Sequence, residues 1–326
     1  MKEEVLIRGK IRNRGKIQDR ERILNQEKVR ELKALEINFC SINGYKLLTG
    51  TIAVILVVLT AFPFLIMLSV SLQTMKEIYA PELVFIPEKA QFVNYVNAMK
   101  NGNWGRYMFN SIYITTIVVI ISLFINSMTG YVFARINFKG KNLLFILLLV
   151  GMMIPPQVTM VPLFIMMRRF PLAGGNNIWG AGGTGLINTY TGLILPFIAG
   201  SFGVFLCRQF YMTFPKDLDN SALIDGCSRF KIFVRIYLPL SKPVLASLGI
   251  LKFTGTWNEY TWPLIMTNSD SMKTVQIALT MFRDEAEVIW NQLMAATIIS
   301  SAIIYILFLL LQKYFVAGIL AGSLKE

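Results

Sequence analysis

Long apolar stretches alternate with polar and charged segments along the whole chain. Each stretch is long enough to cross the hydrocarbon layer as a helix. The six stretches are about 47–70, 109–131, 142–166, 190–207, 243–266 and 293–312. Because 54% of the 326 residues are hydrophobic, we predict an all-α polytopic membrane protein with six transmembrane helices. A charged extension over 1–46 precedes this membrane domain, which covers 47–326.

Prolines interrupt two of the predicted spans. The third span contains Pro155, Pro156 and Pro162, and the short fourth span contains Pro196. A proline removes a backbone hydrogen bond and clashes with the preceding turn. We therefore expect both helices to be kinked or broken, with neighbours or water satisfying the freed carbonyls.

The positive charges predict the orientation. The chain has 32 Lys and Arg against 19 Asp and Glu, a net charge of +13. The basic residues concentrate before the first span, between the second and third, and between the fourth and fifth. By the positive-inside rule these segments and both termini are expected in the cytoplasm. The charge is thus interpreted as topology, not as nucleic-acid affinity.

The composition also limits the chemistry. The sequence has no histidine, and its cysteines, Cys40, Cys207 and Cys227, lie at unrelated spacings. We expect free thiols, no metal site and no catalytic set. The sequence contains no Gly-x4-Gly-Lys-Ser/Thr phosphate loop, so no cofactor is expected on this chain.

A polar loop at 216–243 separates the fourth and fifth apolar stretches. Its first half favours a helix, and Gly226 permits a turn with positive φ. Apolar residues then recur near helical spacing up to Pro239 and Pro243, which are expected to end the helix. The pattern predicts a helix, a glycine turn and a second amphipathic helix.

This loop resembles the coupling loop of ABC importer permeases, whose pattern is Glu-Ala-Ala, three residues, Gly, nine residues, Ile-x-Leu-Pro. Matching residues are Ala222, Asp225, Gly226, Ile236, Leu238 and Pro239, whereas Asn220 and Ser221 depart from the pattern. The resemblance to the carbohydrate-uptake branch extends to further elements. They are Asn110-Ser111, Gly192–Pro196, Trp257-Asn258-Glu259-Tyr260 and the C-terminal segment 312–322.

The resemblance implies a non-catalytic permease subunit that moves a sugar or oligosaccharide across the bacterial inner membrane. It implies as partners a second permease subunit, two ATPase subunits that bind ATP and Mg²⁺, and an external solute-binding protein. A short rigid helix seated in a partner's groove would transmit their motion. The expected coupling residues are Asn220, Ala222, Asp225, Gly226, Arg229, Phe230 and Phe233.

The candidate substrate path lies in the fifth span. Lys252 and Glu259 are the only charges deep in a span, and such groups are commonly functional. Asn258, Tyr260 and Trp257 flank them. Two alternatives stay open: Lys252 reaches toward the membrane surface, and the tryptophans form interfacial or helix contacts instead of stacking on sugar rings.

Two segments are expected on the outer side, 71–108 and the glycine-rich loop 173–185. Each is either a docking surface or an ordinary exposed connection. Other function classes remain as alternatives: an ABC permease for peptides or amino acids, a secondary transporter, and a polytopic membrane enzyme. A secondary transporter would be expected to show internal repeats, which are not evident here.

Overall fold

The structure of the chain, a computed structural model, describes residues 45–283 and 287–323, with side chains up to 310 and at Gln312. The expected cytoplasmic extension therefore lies, up to residue 44, outside the described residues. Within these ranges the chain is helical, and the one β interaction is an isolated antiparallel bridge between Arg283 and Val288. The predicted helical architecture is confirmed.

The helices are labelled in chain order. They are α1 (Tyr45–Ser71), α2 (Met75–Ile78), α3 (Val93–Lys100), α4 (Trp104–Arg135), α5 (Lys141–Met153), α6 (Pro156–Arg168), α7 (Tyr190–Ile194), α8 (Ser201–Met212), α9 (Asp217–Ile224), α10 (Arg229–Ile232), α11 (Leu238–Leu240), α12 (Lys242–Trp257), α13 (Thr261–Met266), α14 (Val275–Leu279) and α15 (Trp290–Ser323). A π-helical segment, Phe233–Tyr237, joins α10 to α11.

Three described helices are long and apolar enough to cross a membrane: α1, α4 and the Trp290–Leu310 part of α15. Three further pairs pass the same test together but are bent. The pair α5–α6 bends by 105°, the pair from α7 to α8 by 43°, and the pair from α10 to α12 by 79°. Up to six spans result if each bent pair is one span. The two proline-rich stretches are broken as predicted, at Pro155 and just after Pro196.

The chain divides into two compact units after Ile66. In the first unit, residues 45–60 form a regular helix whose side chains are exposed. The second unit contains the helices from α2 onward, and α4 lies at its centre. Apolar clusters at three levels along α4 include Trp104, Val118 and Tyr131.

Glycines allow α4 and α8 to approach closely. A Cβ atom built on Gly130 would lie 2.6 Å from the Cβ of Cys207, and one on Gly203 would lie 2.8 Å from Cγ of Asn126. The Asn126 side chain then accepts a hydrogen bond from the N–H of Gly200 at 3.0 Å. Small residues are the usual means by which helices pack closely within membranes, where a hydrophobic driving force between them is absent. These contacts hold α8, and the residue just before it, against the C-terminal half of α4.

Candidate functional site

The segment around Gly226 is a helix followed by a tight glycine turn. Helix α9 ends in two backbone hydrogen bonds, from the N–H of Gly226 to Leu223 O at 3.0 Å and from Cys227 to Ala222 O at 2.9 Å. This pair of bonds satisfies the last carbonyls of α9 and requires a left-handed residue between them. Gly226 supplies it with a φ of +74°. The predicted glycine turn is confirmed.

The second helix begins at Ser228, whose side chain accepts a hydrogen bond from the N–H of Lys231. The chain then continues as one helical rod to Leu240. The rod ends between Pro239 and Pro243, as these two prolines predicted. Phe233–Tyr237 is π-helical, and such a bulge adjusts the backbone locally. The break lies at Ser241, directly before Lys242, and Pro243 stands in the first turn of α12.

An ion pair anchors α9 to α4. The Nε atom of Arg135 lies 3.4 Å from Oδ2 of Asp219, and the two side chains are 7% and 9% exposed. The hydroxyl of Tyr237 donates to the same Oδ2 at 2.7 Å. The Arg135 guanidinium also donates to Phe214 O at 2.6 Å. These bonds join the end of α4, α9 and the π-helical segment in one buried network.

Aromatic rings extend this network toward α8. The ring of Tyr237 lies 4.7 Å from Tyr131 and 5.3 Å from Tyr211, centroid to centroid. The Tyr211 hydroxyl bonds to Ser127 in α4 and accepts from Ser241, at the break before α12. Closely packed, fully buried rings deform little. These contacts connect α9, through Tyr237 and Tyr211, with α4, α8 and the start of α12.

The expected coupling residues divide into an exposed and a buried set. The exposed set is Asn220, Asp225, Gly226, Arg229 and Phe230. Ala222 is 6% and Phe233 1% exposed, because both lie in the apolar cluster around Tyr131. Phe233 thus differs from the expectation that its ring is presented to a partner. It packs at 5.5 Å against Tyr131 within this chain.

Sequence reasoning missed two features of this surface. Ile224 is 87% exposed at the end of α9, beside the Gly226 turn. Helical spacing from the buried Ala222 could have placed Ile224 on the opposite face. The Arg135–Asp219 pair was also missed, since residues so distant in sequence give no local signal.

The two charges of the predicted path take separate positions. Lys252 in α12 is about half buried and its Nζ donates to Phe197 O at 3.2 Å. Glu259 lies beyond the end of α12, in the break before α13. Its Oε1 accepts the Trp262 N–H at 2.9 Å. The fifth apolar stretch is therefore interrupted between them, and Glu259 caps the start of α13.

The tryptophans of this element are buried. Trp257 is 2% exposed and stacks on Phe253 at 5.7 Å, and Trp262 is 4% exposed. The indole N–H of Trp262 donates to Gly192 O at 3.0 Å. These contacts correspond to the helix-packing alternative. Asn258 and Tyr260, in contrast, are exposed, and Asn258 Oδ1 accepts from Gln276 at 3.3 Å.

A small polar cavity of about 10 Å³ lies beside the break. Its polar lining is Glu259, Thr256, Ser111, Thr115 and Thr274. This volume is close to the least that holds one water molecule. The cavity is therefore too small for a transported solute in this conformation.

The other end of α4 is tied to the segment before α14. Asn110 donates to Ser271 O and Lys273 O at 2.9 and 2.8 Å, and Ser111 Oγ accepts from Val275 N at 2.9 Å. The Tyr107 hydroxyl donates to Asp270 at 2.7 Å. The hydrogen bond from Tyr107, and to a smaller extent the one from Lys273, holds the pKa of Asp270 below its ordinary value. The Asn110-Ser111 element thus has a defined packing role.

The glycine-rich loop 173–185 is organised by two asparagines. Asn176 donates to Arg168 O and Phe170 O and accepts from Gly183 N. Asn177 Oδ1 accepts from the N–H groups of Trp179 and Ala181. The loop presents Trp179, which is 83% exposed.

Comparison with known proteins gives the family. The model of the family described as "Binding-protein-dependent transport system inner membrane component" matches residues 126–320. The chain belongs to this family. The matched range includes the loop around Gly226, the candidate path and α15.

Full-length relatives agree with this assignment. The arabinooligosaccharides transport system permease protein AraQ of Bacillus subtilis is 34% identical over 86% of this chain and 96% of its own length. The trehalose/maltose transport system permease protein MalG of Thermococcus litoralis is 33% identical over 84% of this chain and 94% of its own. Family membership confirms the prediction of a non-catalytic, multi-pass permease of an ABC transporter.

One solved structure has the same fold. It is a chain of a bacterial ABC transporter involved in the import of the acidic polysaccharide alginate. It superposes with a TM-score of 0.70 at 20% identity, covering 83% of this chain and 96% of that chain. Transport permeases of this kind work together with other ABC components. The resemblance to ABC importer permeases, which the sequence of the loop at 216–243 indicated, is confirmed.

Proposed function

We propose that this chain is one of two permease subunits of an importer for a sugar or oligosaccharide. The names of the relatives AraQ and MalG support the substrate class, because they refer to arabinooligosaccharides and to trehalose and maltose. The proposed topology has six spans with both termini in the cytoplasm, and it is supported by the three bent helix pairs and the distribution of Lys and Arg. An external solute-binding protein delivers the saccharide to the permease pair.

The loop 216–243 is proposed as the contact with an ATP-binding partner subunit. The observation that carries this proposal is the buried network of Arg135, Asp219 and Tyr237. It makes the exposed face of α9 a rigid handle, which a mobile loop could not be. At α9 and its C-terminal end, Asn220 and Asp225 supply polar contacts and Ile224 an apolar anchor. The start of α10 adds Arg229 and Phe230 to this surface. Ala222 and Phe233 are buried, and they hold α9 and the π-helical segment against the helix bundle.

Coupling then consists of rigid-body movement. Closure of the ATP-binding subunits around ATP and Mg²⁺ displaces α9, and the aromatic contacts of Tyr237 carry this displacement to α4, α8 and α12. The two permease subunits alternate between outward and inward openings. Five residues are proposed to border or support the path: Lys252, Trp257, Asn258, Glu259 and Tyr260. Trp257 does so by packing, because its ring is buried.

Cysteine crosslinking tests the docking surface. Ile224→Cys, in a Cys227→Ser background, is expected to crosslink to an ATP-binding subunit in the purified complex. Trp179→Cys, equally exposed on the loop 173–185, is the matched control and should give no such product. Crosslinks from Ile224→Cys to lipid alone would refute the docking role.

Transport assays test the substrate class. Proteoliposomes with the full transporter and its binding protein are supplied with labelled arabinotriose, maltose, trehalose or a tripeptide. ATP-dependent accumulation of a saccharide is expected. Accumulation of the tripeptide alone, or uptake without ATP, would contradict the proposal.

A further inference from the structure

We propose that a cleft between the α12–α13 break, α14 and α15 is a saccharide-binding site of the permease. The cleft has a volume of about 400 Å³, within the range of small-molecule sites. Six of its lining residues carry the argument: Tyr260, Gln276, Thr280, Arg283, Trp290 and Thr297. The inference rests on the proposed function, because it assumes that the transported solute is a saccharide.

Two aromatic rings with free surface distinguish this cleft. Tyr260 is 37% exposed and Trp290 is partly exposed, whereas Trp257 and Trp262 are buried by helix contacts. An aromatic face packs well against the C–H groups of a sugar ring, and the polar edge of the ring remains available to hydroxyls. The aromatic side chains that can stack on a sugar in this region are therefore those of the cleft.

The polar groups complement sugar hydroxyls. Thr280 and Thr297 each donate their hydroxyl proton to a backbone carbonyl at 2.7 Å, to Ile277 O and Leu293 O. Their oxygen atoms are thus oriented as acceptors. Gln276 is positioned by its bond to Asn258, and its amide retains an oxygen and a second N–H. Arg283 adds donors at an exposed edge.

In the described part of the lining Arg283 is the one charged side chain. The cleft also adjoins the candidate path. Tyr260 lines it directly, and Asn258 acts on it as a positioning residue through Gln276.

Uptake by aromatic variants tests the site. In proteoliposomes with binding protein and the best-transported of arabinotriose, maltose and trehalose, Trp290→Ala and Tyr260→Ala should each lower uptake roughly tenfold. Trp290→Phe should restore most of the rate, because it retains an aromatic face. Trp179→Ala, which removes an exposed indole elsewhere, should have no effect. Uptake within about twofold of the unsubstituted rate in both alanine variants overturns the proposal.

Site protection provides a readout independent of coupling. Thr280→Cys in the full transporter, without binding protein, should react with a small maleimide, and millimolar amounts of the same sugar should slow the reaction. Unchanged labelling at Thr280→Cys, with sugar still transported, refutes the cleft and leaves the proposed function standing. If the unsubstituted transporter moves none of the sugars, the proposed substrate class fails and the cleft fails with it.

Discussion

Arg135, the last residue of α4, and Asp219, in the first turn of α9, form a buried ion pair with Nε and Oδ2 3.4 Å apart. The carboxylate oxygen also accepts from Tyr237 at 2.7 Å. Each charge is therefore desolvated and depends on the other, since removal of one leaves the other buried and uncompensated. The pair fixes the candidate coupling helix to α4, the central helix of the described core.

The first prediction concerns this pair. Asp219→Ala should destabilise the protein by about 3–5 kcal/mol, the usual cost of breaking a buried pair. Thermal unfolding of the purified protein, followed by tryptophan fluorescence, measures the loss. Asp217→Ala, which removes an exposed carboxylate from the same turn of α9, is the matched control. Similar losses of stability in both variants would show that the buried Arg135–Asp219 pair stabilises the protein no more than an exposed carboxylate does.

The second prediction separates the conformation of Gly226 from its contacts. A Cβ on Gly226 meets nothing within 4 Å, but the φ of +74° strains any other residue by about 1–2 kcal/mol. Gly226→Asp should therefore insert and fold but lose sugar uptake, because its side chain would occupy the surface proposed to contact the ATP-binding subunit. Gly140 has a φ of +82° and equally open space. Gly140→Asp should show a similar loss of stability with uptake retained, and equal uptake in the two variants would count against docking at Gly226.

The third prediction tests the packing of α4 on α8. Gly130→Ala places a methyl group 2.6 Å from the Cβ of Cys207 and 2.9 Å from the N atom of Arg208. Overpacking against backbone costs about 1–3 kcal/mol or more, so folded yield and melting temperature should fall. Gly105 lies in the same helix, and a Cβ there would be 3.9 Å from Oδ1 of Asn103, its nearest neighbour. Gly105→Ala should therefore be neutral or slightly stabilising. A Gly130→Ala protein as stable as Gly105→Ala would contradict this helix contact.

Local patterns predicted the elements of this chain well. The apolar stretches, the proline breaks and the turn at Gly226 all follow from residues that are close in sequence. The end of the second coupling-loop helix between Pro239 and Pro243 was also predicted, whereas its π-helical segment Phe233–Tyr237 was not. The roles of Phe233 and Trp257 depend on tertiary contacts with Tyr131 and Phe253, which no periodicity reveals. The cleft at Trp290 likewise joins three elements that are separate in the sequence.

The fourth prediction concerns pH. Tyr107 and Lys273 hold the pKa of Asp270 below its ordinary value, so the folded form binds this proton more weakly than an opened segment does. The resulting stability is complete above about pH 4, the ordinary aspartate pKa, and is lost as the pH falls through the lower folded value. Hydrogen exchange of residues 268–273, corrected for intrinsic rates, should show extra opening only in that acidic window. Tyr107→Phe should reduce the pH dependence, and an unchanged profile in this variant would exclude the Tyr107 bond as its main cause.

The fifth prediction distinguishes two roles of Glu259. Its Oε1 caps α13 by accepting from Trp262 N at 2.9 Å, and a glutamine oxygen can accept the same bond. Glu259→Gln should therefore keep the melting temperature, whereas Glu259→Ala should lose about 1 kcal/mol, the usual value of a helix cap. If the negative charge also serves the transport path, Glu259→Gln lowers sugar uptake at unchanged stability. Normal uptake by Glu259→Gln, together with lower stability of Glu259→Ala, would restrict Glu259 to a capping role. In that case transport would not need the negative charge, whereas the fold would still need the hydrogen bond.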